Sequence, residues 1–196
     1  MTVLIDPELT EQETALFHFI YSKAAQMLQR DGELQPVAFF RVGSKPTMKG
    51  PQPKMIVPVK MDMPGNDQGK DALAETLRHI TKQLDADLVL MILESWMVKP
   101  NEEETDYIQK HGEWKVRPSQ HPDRIEIVFF TVSKPTGESW SAWAEITRDA
   151  NNKPSIPLEP PKLEFLKAGG RFGNLFENGI EGGETDGPAS TTSFTA

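Results

Sequence analysis

Cysteine is missing from all 196 residues. Its absence removes disulfides, thiolate nucleophiles and cysteine-held metals together, and fits a reducing compartment. Histidine is scarce: His18, His79, His111 and His121 are the whole set, and they fall in neither H-x-H nor H-x-x-x-H spacing, so no paired imidazole metal site is written locally. No apolar run reaches the roughly 18 residues that a membrane-spanning helix needs. The opening MTVLIDPELTEQE lacks the basic stretch and apolar run of a secretory leader. A soluble protein is expected, cytoplasmic or carried in a virion if phage-encoded. Phosphate-cradling loops are lacking too, because AGGRFG at 168–173 follows no strong strand and opens no helix. No G-x-S-x-G elbow occurs. Neither a cofactor nor a metal is expected.

Positive charge is also in deficit. Twenty-one Lys+Arg face 29 Asp+Glu, a formal net charge of -8, and such a field repels phosphodiester backbones and anionic lipid surfaces. Nucleic acid and membrane are therefore not expected partners. The tail 168–196 contributes Glu177, Glu181, Glu184 and Asp186 against Arg171, which leaves -5 on the body; a charge spread so thinly is solubilising.

The clearest structural signal lies at 71–99. Leu73, Leu77, Ile80 and Leu84 recur at helical spacing. Almost without a loop they give way to Leu88-Val89-Leu90-Met91-Ile92-Leu93, a run without polar alternation that reads as a strand covered on both faces. With 37% hydrophobic residues, the chain has material for one core.

On the N-terminal side, Asp6-Pro7 is the expected start of a first helix, and Thr10 with Glu13 offers a competing capping box. Leu16, Ile20, Ala24, Met27 and Leu28 form its apolar stripe with Phe17 at the edge, and Asp31-Gly32 ends it. Strands are predicted over 37–42 and 54–61, the latter an edge because Pro58 cannot donate to a ladder. The loop between them, with Lys45 and Lys49, is one place for a ligand or partner, although an ordinary surface loop is the commoner case. Asp67 is placed as the cap of the second helix.

On the C-terminal side, residues 100–122 are expected to form a long polar connection. A second two-sided strand is predicted over 124–133, with Ile125, Ile127 and Phe129 on one face and Val128, Phe130 and Val132 on the other. A hairpin at Lys134-Pro135-Thr136-Gly137 then leads into a strand over 138–147. With Ser133 opposite Glu138, Trp140, Ala142, Ala144 and Ile146 would lie beside Ile125, Ile127 and Phe129. The other face, with Val128, Phe130, Val132 and Trp143, would be covered by the first helix or by another chain.

The expected fold is α+β: a five-stranded, mainly antiparallel sheet with a helix on each face, in the order αββαβββ, over residues 1–150. A Pro-rich extended segment follows at 151–167, in which 163–167 is read as a turn of helix, and then a flexible, acidic, Gly-rich tail at 168–196. The element order over 7–149 resembles the roadblock and longin group of profilin-like domains, a resemblance that implies adaptor or scaffold roles.

Two clusters bear on function. Glu94-Ser95-Trp96 ends the central strand, and Pro118-Ser119-Gln120-His121-Pro122-Asp123-Arg124 precedes the next. The pair E-x-W and P-S-x-H-P-D-R resembles a pattern in small uncharacterised bacterial and phage proteins, and it implies no named activity. Serine, histidine and carboxylates together invite a hydrolase reading centred on Glu94, Ser119, His121 and Asp123. In the structural alternative, the prolines shape a turn, Asp123 caps it and Arg124 or His121 answers Glu94. His111, His121 and the acids 102–106 would be the place for a bound ion, although a solvated loop is the commoner outcome. In the tail, Phe172, Leu175 and Phe176 are large apolar residues in a segment that cannot bury them alone, so they either dock on a partner or fold back. The leading expectation is a non-enzymatic protein-binding or assembly module that self-associates or binds a protein partner through Trp96, Arg124, Val128, Phe130, Trp143 and the tail aromatics. A small hydrolase or ligand-binding enzyme, and a phage-encoded inhibitor of a host protein, are the alternatives.

Overall fold

The computed structural model describes residues 8–43, 54–112, 114–116, 118–166, 172, 175 and 176. Helix α1 (Glu11–Asp31) opens on Thr10, not on Asp6-Pro7. The Thr10 hydroxyl accepts from Glu13 N–H at 3.3 Å and Glu13 Oε2 accepts from Thr10 N–H at 3.0 Å. A capping box satisfies two orphan donors at once, so the box sets the start. The proposed lysine loop and most of the tail lie outside the described residues.

Strands β1 (Val37–Val42) and β2 (Met55–Lys60) pair antiparallel. Helix α2 (Asp67–Gln83) is capped by Asn66, whose Oδ1 accepts from Gly69 N–H at 2.7 Å, so Asp67 sits inside the first turn instead of serving as the cap. Strand β3 (Leu88–Met97) runs four residues beyond its apolar run. The polar connection contains a helix that the expectation missed, α3 (Glu102–His111), with a capping box between Asn101 and Glu104. Strands β4 (Ile125–Ser133) and β5 (Ser139–Glu145) follow, then a two-stranded ribbon of β6 (Thr147–Arg148) and β7 (Pro154–Ser155). Residues 164–166 form a strand, β8 (Glu164–Leu166), where a helical turn was expected, because pairing with β5 satisfies an open ladder edge.

The main sheet therefore has six strands, in the order β2-β1-β3-β4-β5-β8, and its paired neighbours are antiparallel. The α+β class with a mainly antiparallel sheet holds, while the expected count of five strands omitted β8. Edge strand β2 carries Pro58 at an exposed position, opposite Phe39.

The β4–β5 register differs from the expected one by a single residue. Ser133 lies opposite Ser139, so Trp140 pairs with Val132, Ala142 with Phe130 and Ala144 with Val128. Lys134 N–H donates to Glu138 O at 2.9 Å and Gly137 N–H to Lys134 O at 3.1 Å. Those bonds leave Pro135, Thr136 and Gly137 as a three-residue loop, and Gly137 takes φ 85°, which a side chain would disfavour. Side chains alternate with period two, so the shift moves the whole even-numbered set of β5 to the opposite face.

On the first face, Leu88, Leu90, Ile92, Val128, Phe130, Val132 and Trp140 form one cluster with Phe17, Ile20, Tyr21, Ala24 and Leu28 of α1. Phe17 is central, not peripheral, and meets Phe130 edge-on at 5.6 Å. The Pro-rich segment lies along α1: Ile156 joins the cluster and Pro157 O accepts from the Tyr21 hydroxyl at 2.6 Å. Burial pushes that phenol up to about 12. The second face buries Val89, Met91, Leu93, Met97, Ile127 and Phe129 with Leu77 of α2 and Leu175 of the tail. Val128 and Phe130, both 0% exposed, therefore offer no surface to a partner, contrary to expectation; α1 occupies that face.

A buried ionic group ties α1 to one end of the sheet. The Arg41 guanidinium reaches Glu13 Oε1 at 3.1 Å and Asp87 Oδ1 at 2.6 Å, and Lys134 Nζ reaches Glu13 Oε2 at 2.8 Å. Burial by itself would raise the Glu13 pKa, but Lys134, the Thr10 N–H and Arg41 together hold it down at about 2. Because the folded value lies below the ordinary 4.5, the stability this carboxylate contributes is present above about pH 4.5 and lost as pH falls towards 2. Arg41→Met removes the cation shared by both carboxylates and leaves Glu13 to Lys134 and Asp87 to the more distant Lys54 at 3.8 Å, and urea unfolding at neutral pH is expected to show a loss of about 2 kcal/mol. The deficit of Glu13→Gln relative to wild type should shrink on acidification from pH 4.5.

Candidate functional site

The two sequence clusters meet at the opposite end of the sheet. The antiparallel pairing of β3 and β4 sets Trp96 against Glu126 and Met97 against Ile125, so the chain leaving β3 and the chain starting β4 share one corner. Pro118 to Gln120 form a single 3₁₀ turn. His121 N–H donates to Pro118 O at 3.2 Å and Arg124 N–H donates to His121 O at 3.3 Å. The Arg124 Nη1 group donates to Ser119 O, and its guanidinium carbon lies 4.4 Å from the centre of the Trp96 ring. Both chain segments are thereby closed into one unit, with a cation over an aromatic face.

His121 is buried, 7% exposed. Its Nδ1 accepts from the Asp123 N–H at 3.1 Å and its Nε2 lies 2.6 Å from Glu104 Oε1. An acceptor role at Nδ1 assigns the ring proton to Nε2, which donates to the carboxylate. The Glu104 carboxyl is held below its usual range, first by the Asn101 N–H and then by His121. Glu104 therefore closes the α3 capping box with one oxygen and pins the helix to the corner with the other.

The candidate residues of the alternative hydrolase reading make other contacts. Ser119 contributes its carbonyl to Arg124 and Asp123 contributes its main-chain N–H to His121, not a carboxylate that orients the ring. Glu94 is answered neither by Arg124 nor by His121: its Oε1 accepts from Leu34 N–H at 2.5 Å. Burial raises its pKa, assisted by Glu126 and Glu33, against the Leu34 N–H and Arg148. Glu126 itself takes Arg148 at 2.9 and 3.1 Å. Among the described residues, no group of three or more His, Asp or Glu side chains is arranged to hold a metal ion. His111 stacks on Tyr107 at 4.3 Å while His121 turns to Glu104, so the suggested chelate is divided.

Helix α3 buries none of its side chains. With Trp114 and Val116 it walls a cleft of about 260 Å³, lined also by Glu103, Asp106, Tyr107 and His111. Sequence reasoning placed Glu104 among acids grouped with His121 on a polar connection and missed this helix, although Asn101 followed three residues later by Glu104 is the local signal for a capped start. Of the other expected binding residues, Trp143 is half-buried under Lys99, whose Nζ lies 5.7 Å from its ring centre, and Phe172, Leu175 and Phe176 pack into the second cluster. No protein-family model, curated protein or solved structure matches this chain. Among the described residues, no helix is long and apolar enough to cross a membrane.

Glu94 has a folded pKa raised above its unfolded one, so its charge costs stability progressively as pH rises through that range. Glu94→Gln keeps an acceptor for the Leu34 N–H and removes the charge. Its thermal midpoint is expected to exceed that of wild type at pH 7, with the advantage vanishing below pH 4; a lower midpoint at pH 7 would show that the carboxylate is needed ionised.

Proposed function

We propose that the protein is a non-enzymatic protein-binding or assembly module whose contact surface is the corner built by Trp96, Arg124 and α3. The observation that carries this reading is the engagement of both His121 nitrogens. A ring that donates to Glu104 and accepts from Asp123 has no lone pair left for a base to use, and it serves instead to fix a turn. What the fixed turn presents is an arginine over a half-buried tryptophan, with the Tyr107 and Trp114 cleft on the helix that His121 holds. Tryptophan, tyrosine and arginine held rigidly at a surface are the residue types that dominate interface energies, and pre-organisation spares the ordering cost of binding.

The first turn of α3 adds Glu102, Glu103 and Glu104, with Asp106 beyond it. A partner segment with a large apolar side chain beside basic residues is the complement to that surface. A scaffold role, as the element order suggests, and inhibition of a host protein both use this same corner and differ only in the partner.

The test is affinity capture with the full chain, followed by titration of the recovered partner against two variants. Trp96→Ala and Arg124→Glu are each expected to weaken binding about tenfold or more, measured on protein shown to be folded, because the same contact also ties β3 to the turn before β4. Hydrolysis of an ester, phosphoester or peptide panel by the wild type, lost in a folded His121→Gln variant, would overturn this reading in favour of an enzyme.

A further inference from the structure

Helix α3 ends in a reversal that builds a cleft. Gly112 takes φ 71°, the left-handed conformation that stops a helix, and its N–H donates to Ile108 O at 2.8 Å. The chain beyond it places Trp114 and Val116 across from Tyr107 and His111, with about 260 Å³ of space among them. Charge around these walls is sorted along the helix. Glu103 and Asp106 line the N-terminal half, while Lys110 lies in the last turn and Lys115 on the returning segment. At about 1.5 Å of rise per residue, Lys110 stands roughly 6 Å along the axis from Asp106 and 10 Å from Glu103. Glu104 is committed to the Asn101 N–H and to His121. Glu103 and Asp106 form no ion pair among the described residues, although Lys110 follows Asp106 by four positions. Two carboxylates three positions apart on a helix are neighbours and repel each other.

We propose that this cleft seats an arginine side chain of a protein partner, its guanidinium held by the Tyr107 and Trp114 rings and by the Glu103 and Asp106 carboxylates. The proposal rests on the reading of the corner as a protein-contact surface and names what the partner inserts there. An aromatic face attracts a cation through its quadrupole, and the two carboxylates choose the sign of the guest. A guanidinium answers both at once, because its flat face stacks on a ring while its N–H edges reach carboxylate oxygens. An ammonium is a more strongly hydrated point charge without that shape. Val116, 41% exposed, and Ile108 add apolar surface for the methylene stem. Lys110 repels a cation at the opposite end of the helix, which fixes the direction of entry. The same pairing already exists within the corner, where Arg124 lies over Trp96 at 4.4 Å.

The experiment titrates the full chain with acetylated, amidated tripeptides, Gly-Arg-Gly, Gly-Lys-Gly and Gly-citrulline-Gly, and follows the indole N–H resonances by NMR. The Trp114 signal is identified by its loss in Trp114→Phe. The arginine peptide is expected to shift that signal saturably, and the lysine and the uncharged citrulline peptides to bind at least about fivefold more weakly. A Glu103→Gln/Asp106→Asn double variant should weaken the arginine peptide about fivefold or more. Both positions are exposed on a helix that buries none of its side chains, so the variant keeps the fold, which circular dichroism checks. No saturable shift, equal binding of the lysine or citrulline peptide, or a folded double variant that binds like wild type would overturn the arginine seat. The two readings fail separately. An arginine peptide that does not bind, beside a captured partner that still needs Arg124, removes the seat and leaves the corner. An arginine peptide that binds as expected, beside a captured partner indifferent to Trp96 and Arg124, keeps the seat and removes the corner.

Discussion

A strand with apolar side chains on both faces needs two covers, and β3 imposes that requirement on the rest of the chain. Leu88, Leu90 and Ile92 point one way and Val89, Met91 and Leu93 the other, all of them buried. One face is closed by α1, which supplies Phe17, Ile20, Tyr21, Ala24 and Leu28. The second takes α2, which contributes a single fully buried leucine, Leu77, and is completed by Leu175 from the tail. The two covers are unequal, and Phe172, Leu175 and Phe176 pack beside α2 in the cluster of the second face.

Polar chemistry is pushed to the two ends of the sheet as a result. At one end Glu13, Arg41, Asp87 and Lys134 share charges in a nearly dry setting. Glu13 caps the helix with the same carboxylate that receives Arg41 and Lys134, so the start of α1 and its position over the sheet are fixed together. At the other end Trp96, His121, Arg124 and Glu104 join the β3–β4 connection and α3 through one cation–aromatic contact and one ring-to-carboxylate hydrogen bond. At the first end Glu13 and Arg41 are buried and the group serves the fold. Arg124 and α3 face outward, which is why the second end is the functional candidate.

Much of this was legible in local pattern. The central strand, the two long helices, the edge position of β2 and the convergence of the Glu94 and His121 segments all follow from periodicity and from antiparallel connection. What was not legible depends on choices between near-equal local options or on contacts distant in sequence. Thr10 prevailed over Asp6 because Glu13 has two further partners in the fold that no local pattern displays. The β5 face inverted because Gly137, in a left-handed turn, closes a loop between Lys134 and Glu138, which makes Ser139 and not Glu138 the partner of Ser133. Strand β8 exists only because β5 offers an open edge and Trp140 a ring for Phe165 at 5.7 Å. Glu94 was expected to need a charged partner, yet a main-chain N–H sixty residues away in sequence answers it; a backbone donor leaves no trace in residue identity.

Pro58 also limits how the molecule can associate. Beta-sheets extend by adding strands to an outer strand that offers a continuous row of donors and acceptors. In β2 that row is interrupted mid-strand by a residue without an N–H, and a ring occupies the place where a template would need a bond. The exposed Met55 and Ile56 beside it would otherwise make this edge adhesive. One imino acid therefore turns the sheet's free margin into a terminus, and leaves side chains, not main-chain pairing, as the means by which this protein can recognise another along that edge.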